Sequence, residues 1–215
     1  MSILGRAKLI ERLRATGDNQ LVVSPILSAK QIGASSIDLR MGTVALVVRA
    51  RGASHVDPKY AKLAIEDRRK GLSQKDDLSR HQRHERYEFP FGSKFLLHPG
   101  VLALVPTLEW LKLPRNLHGS VTARSTWARE GLSIATANFF EPRYEGVATL
   151  ELSNLGQIPI ELYPGLTLAQ INFTEVCGDT TRPTDNKAQF NLSFEPLPGI
   201  IAKDDDFPFI PKNSD

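Results

Sequence analysis

Leu97-His98-Pro99-Gly100-Val101-Leu102-Ala103-Leu104-Val105 and Leu162-Tyr163-Pro164-Gly165-Leu166-Thr167-Leu168-Ala169-Gln170 read alike. In each, Pro-Gly stands between two short apolar runs. Proline presets φ near the value a turn needs and glycine tolerates positive φ, so each pair marks a tight turn between strands. Outward from these turns, short apolar stretches bounded by turn residues recur at 20–23, 36–40, 43–49, 94–97, 101–106, 117–123, 147–152, 158–162 and 166–173. Many short strands without βα alternation predict an all-β sandwich or barrel with a few short helices. Ile3, Ala7, Ile10 and Leu13 recur at helical spacing and Gly17 follows as a stop, which predicts a short amphipathic packing helix over 3–15. Beyond the paired Pro-Gly hairpins there is no longer internal repeat.

The chain has 215 residues, enough for one domain with a real core. The expected domain covers 1–195, with a charged excursion at about 51–88 and an irregular tail over 196–215. In 51–88 basic residues alternate with acids, and Lys62–Lys70 has helical character. A solvated excursion is the plain reading of that segment; a lid or an anion-attracting rim is the other. With 27 Lys+Arg against 24 Asp+Glu, the charge gives no reason to expect nucleic acid. Cys177 is the only cysteine, which rules out an intrachain disulfide and fits a reducing cytoplasm. No apolar run is long enough to span a bilayer, so no membrane partner is expected.

Zinc-dependent nucleotide deaminases hold an activated hydroxide with His-x-Glu and Pro-Cys-x-x-Cys ligands. One cysteine closes that route. His81 and His84 sit in a charged segment and read as surface residues. Neither GxxxxGK[ST] nor GxGxxG occurs, so the common phosphate cradles are missing as well.

Ala123-Arg124-Ser125-Thr126-Trp127-Ala128-Arg129-Glu130-Gly131-Leu132 is the densest candidate. A strand runs into it, two hydroxyl residues stand where a short helix would start, and Gly131 stands where it would end. Hydroxyl donors and two guanidinium forks suit phosphate; a capped turn with surface arginines reads equally well from pattern alone. The second candidate is Glu141-Pro142-Arg143-Tyr144-Glu145-Gly146, followed by the strand Val147–Ser153. Alternation puts Ala148, Leu150 and Leu152 on one face and Val147, Thr149, Glu151 and Ser153 on the other. Glu151 thus points away from the apolar side, toward either a polar cleft or solvent.

In order along the chain, these segments resemble the dCTP deaminase family of the dUTPase-like superfamily. Ser35–Gly42 resembles its early strand motif and Leu97–Gly100 its central hairpin. Ala123–Arg129 resembles its phosphate and catalytic segment, Glu141–Gly146 with Glu151 its sugar-binding turn and catalytic strand, and Tyr163–Gly165 with Ala169–Ile171 its closing hairpin. The resemblance implies a distorted jelly-roll, dUTPase-like β-barrel, a homotrimer with shared active sites, and a triphosphate substrate carrying Mg²⁺, without zinc. It implies that Glu151 is the catalytic base and that Ser125 and Arg129 position the base and the attacking water. It further implies triphosphate contacts from Arg124 and Thr126, a sugar contact from Glu141, and substrate contacts from Tyr144, Gln170 and Lys187.

Three features depart from the family pattern. Glu141 replaces the usual Asp, 134–140 is one residue shorter and lacks a His, and Lys187 is followed by Ala188 where a Lys-Tyr pair is usual. The expected activity is hydrolytic deamination of dCTP to dUTP and ammonia. The alternatives are a bifunctional enzyme giving dUMP and pyrophosphate, a dUTPase, and a non-catalytic nucleotide-binding trimer.

Overall fold

The computed structural model describes residues 2–49, 83–134, 138–178, 180 and 191–198. The chain separates into two compact units, 1–47 with 86–197, and 48–85 with 198–215. In the second unit the described contacts are few. The Arg49 amide donates to the Arg83 carbonyl, and its guanidinium donates to Glu85.

The first unit is mainly β, as expected. Helix α1 spans Arg6–Arg14, inside the predicted 3–15, and buries Leu9. The strands are β1 (Val22–Ser24), β2 (Ile37–Arg40), β3 (Val44–Val48), β4 (His84–Glu88), β5 (Phe95–Leu97) and β6 (Leu102–Lys112). They continue as β7 (Leu117–Ala123), β8 (Leu132–Ile134), β9 (Phe139–Phe140), β10 (Glu145–Asn154), β11 (Ile160–Leu162) and β12 (Thr167–Glu175). A one-turn helix, α2 (Ser125–Arg129), lies between β7 and β8.

One sheet runs β4-β3-β6-β10-β8, with β1 also on β6; a second runs β2-β12-β7-β9; β5 and β11 form a ribbon. Alternation turns Ala148, Leu150 and Leu152 of the first sheet and Val121, Ile171 and Phe173 of the second into one apolar core. Gly100 and Gly165 take φ of +71° and +88°, as the two Pro-Gly turns require.

The structure departs from the sequence expectation where backbone chemistry is unusual. The strand expected to end at Pro106 continues to Lys112. Proline has no N–H for the ladder, and β10 answers with a register shift between Val147 and Thr149, which breaks the expected alternation and leaves Val147 buried like Ala148. There the Ala148 amide donates to Thr107 Oγ1 at 3.0 Å, and Thr107 in turn donates to the Glu109 carbonyl at 2.8 Å. At the end of the charged excursion, residues 84–88 form β4. The helical character expected over 62–70 falls outside the described residues.

Glu109 is the buried charge of this fold, with none of its side chain exposed. Arg40 Nε donates to its Oε1 at 2.6 Å and the Arg40 amide to its Oε2 at 2.8 Å. Gln31 Nε2 adds a bond at 3.0 Å and also donates to the Asp38 carbonyl at 3.0 Å. Because Glu109 lies on β6 and Arg40 on β2, this network joins the two sheets. Breaking one side of a buried pair leaves an uncompensated charge. Glu109→Ala should therefore lower unfolding stability by about 3–5 kcal/mol, read from the urea midpoint of the purified protein. A shift within that of a surface substitution would show that Arg40 reaches water.

Candidate active site

Strand β7 delivers the chain to α2. The Arg124 amide donates to the Leu168 carbonyl at 3.0 Å, and Trp127 Nε1 donates to the Thr167 carbonyl at 2.9 Å. The Trp127 ring packs on the core, so this short helix is held by its tryptophan more than by its own hydrogen bonds. Gly131 ends it with φ +89°, and a Cβ there would stand 2.9 Å from the Gly156 amide nitrogen. The Leu155 amide closes the junction by donating to the Gly131 carbonyl at 2.8 Å. Helix α2 is thus pinned to β12 at one end and to the turn after β10 at the other.

Ser125, Thr126 and Arg129 are exposed and make no side-chain hydrogen bond among the described residues. Arg124 differs: its Nη1 donates to Asp38 Oδ1 at 2.7 Å. This carboxylate orients the guanidinium while leaving it partly exposed. Asp38 was not singled out in the sequence as a site residue. Its place between inward-facing Ile37 and Leu39 was the available signal.

The register of the second sheet gathers further candidates on one outward face. Gln170 stands opposite both Asp38 and Thr122. It accepts from Ser36 Oγ at 3.4 Å. Asn172 stands opposite Ser120, and Thr174 opposite His118. Ser120 also faces Phe139 on β9, and continuing that register sets Glu141 beside His118. Arg124, Gln170 and Glu141 therefore share the polar face of this sheet.

His118 and Phe139 were not foreseen. Their ring centroids are 3.7 Å apart. His118 Nε2 is buried without a hydrogen-bond partner among the described residues. Burial holds the imidazole below its ordinary pKa, and the Glu141 carboxylate opposes that shift. Tyr144 is a prop by its contacts. Its hydroxyl donates to the Val147 carbonyl at 2.7 Å, its ring meets Phe140 edge-on, and burial pushes its phenol up to about 12.

Glu151 lies on the other sheet. It is half-buried between Thr149 and Ser153, faces Leu104 across the ladder, and makes no hydrogen bond among the described residues. Ser133 of β8 stands opposite Ser153. The fold thus separates Glu151 from the polar face bearing Glu141 and Gln170, with α2 and β8 as the connection. Lys187 and residues 135–137 of the shortened loop fall outside the described residues. A cleft of about 570 Å³ lined by Pro25, Leu27, Phe91, Leu108 and Tyr163 contains none of the expected site residues. Among the described residues, no three His, Cys, Asp or Glu side chains group as metal ligands. No helix among them is long and apolar enough to cross a membrane.

A dCTP deaminase-like family model matches residues 3–176. A relative from Methanobrevibacter smithii, a dUMP-forming dCTP deaminase, is 32% identical over 174 residues, covering 80% of each chain. The dCTP deaminase of Pectobacterium atrosepticum is 32% identical over 189 residues, covering 86% of this chain and 90% of its own. Among solved structures, the 2'-deoxycytidine 5'-triphosphate deaminase of Agrobacterium tumefaciens shares the fold. Its TM-score is 0.55 at 24% identity, over 80% of this chain and 47% of that one.

The two opposed influences on His118 are separable. An NMR titration should place its midpoint below the ordinary histidine value, and Glu141→Gln should lower it further by removing the charge that favours the imidazolium. A midpoint unmoved by Glu141→Gln would show that the two side chains do not face each other.

Proposed function

Since this chain belongs to the dCTP deaminase-like family, we propose that it hydrolyses dCTP to dUTP and ammonia, with Glu151 as the group that moves the protons. The observation that carries this reading is the state of Glu151: a half-buried, mid-strand carboxylate with no partner among the described residues, set between two hydroxyl residues. Only a fully buried carboxylate requires a partner. A half-buried one without a partner is available to take a proton from water.

Water adds to C4 of the cytosine as Glu151 accepts its proton. Glu151 passes that proton to N3. It then moves the remaining hydroxyl proton to the amino group, which leaves as ammonia while C4 becomes a carbonyl. One carboxylate acting first as base and then as acid suffices, and the atoms balance as dCTP plus water to dUTP plus ammonia. Ser125 and Arg129, without side-chain hydrogen bonds among the described residues, position the base and the water. Thr126 and the Asp38-oriented Arg124 meet the triphosphate. Glu141 and Gln170 lie on the polar face that accepts the sugar side. Alignment by these groups lowers the entropy cost of bringing water and ring together. Mg²⁺ accompanies the triphosphate as part of the substrate. Zinc of the Cys-ligated kind has no place in this reading, as Cys177 is the only cysteine.

We further propose a homotrimer. Glu151 lies on one sheet, and Ser125 and Arg129 lie on α2 between β7 and β8, with no side-chain hydrogen bond among the described residues. A neighbouring copy supplying the α2 segment would complete each site.

A second reading, in which dUMP and pyrophosphate are the products, is favoured by the exposed Glu141, one methylene longer than the family's Asp. A longer carboxylate reaches further toward a water at the α-phosphorus. Product separation after incubation with dCTP and Mg²⁺ decides between the two: dUTP with ammonia, or dUMP with ammonia and pyrophosphate.

Glu151→Gln keeps size and hydrogen bonding but cannot accept the proton. Turnover should fall by about 10³–10⁴, the upper part of the range for a general acid–base group, with dCTP affinity retained. A folded variant keeping more than about a tenth of wild-type turnover would remove Glu151 from the chemistry.

A further inference from the structure

We propose that the exposed ring of Phe139, packed at a tilt against His118, is the platform on which the pyrimidine ring of the nucleotide lies, making Phe139 a residue that sets affinity for the base. The inference rests on the deaminase reading above, since it takes Glu141 as the neighbour of the sugar.

Phe139 is 69% exposed although it is a large apolar side chain within a strand. One side of its ring is occupied by His118 and the rest is open. His118 is suited to that support. Its Nε2 has no hydrogen-bond partner among the described residues, and the imidazole packs against the phenylalanine. Desolvation lowers its pKa and so favours the uncharged form.

The placement fits a nucleoside. In β9 and its continuation Phe139 and Glu141 are exposed while Phe140 between them is buried, so the two share one side of the strand. Residues two apart in a strand lie about 6.5–7 Å apart. That is the scale of the step from a sugar hydroxyl to the base of the same nucleoside. A sugar held at Glu141 therefore brings its base over Phe139, beside Ser120 and Asn172 of the same polar face. A base stacked on an aromatic side chain gains affinity through its π-face and buries the open ring.

The test is a series of full-length Phe139→Ala, Phe139→Leu and Phe139→Trp proteins assayed with dCTP, with inorganic tripolyphosphate as a baseless competitor. Loss of the stack should raise KM for dCTP by about ten- to thirtyfold in the Ala and Leu variants, while Trp stays within about threefold of wild type. kcat, tripolyphosphate inhibition and assembly by light scattering should be unchanged. Leucine supplies similar apolar area without a π-face, so a Leu variant matching wild type overturns the stack. An Ala variant with wild-type KM overturns it too, as does one that weakens tripolyphosphate or assembly in parallel. Wild-type protein that neither binds nor turns over dCTP refutes the deaminase reading itself, and the platform with it.

Discussion

The two sheets are tied through one carboxylate. Glu109 on β6 receives the amide and guanidinium of Arg40 on β2 and the amide group of Gln31. A charge with no exposure is tolerated only when its lone pairs are filled, and this one draws three donors from outside its own sheet. β2 is positioned relative to β6 by that demand. The rest follows along β2: Asp38 is two residues before Arg40, and its side chain sets Arg124 at the start of α2. The orientation of the Arg124 guanidinium is thus traceable to a buried ion pair two links away.

Much of this could be read from residue order. The Pro-Gly turns, β7 at 117–123 and the helical turn after it follow from local chemistry, and alternation alone aimed Glu151 away from the core. The unread parts share a cause. β8 and β9 have three and two residues, too short to show a period. Pro106 looked like a strand end because the compensation, the Thr107 hydroxyl, acts across the ladder on Ala148. Asp38, His118 and Phe139 acquire meaning only from register, since their neighbours are tens of residues away in the chain. Tyr144 shows the converse. Its local motif reads as a substrate contact, while its hydroxyl and ring are engaged within its own chain.

The candidate residues divide between two surfaces. Glu141, Gln170 and Arg124 follow the second sheet, and Glu151 follows the first. Each surface is built by alternation, interrupted by a register shift in β10 before Thr149 and in β12 before Ala169. The link between them, where α2 turns back at Gly131 toward β8, needs the positive φ that glycine takes readily.

At that link two glycines meet with no clearance: a methyl group on Gly131 would strike the backbone of Gly156, and Leu155 is bonded to Gly131 itself. Mechanically, this is a pivot without play. A displacement of α2 is passed through Gly131 and Leu155 to the Asn154 end of β10 rather than absorbed in the turn. A side chain at Gly131 would loosen this junction by forcing the two backbones apart.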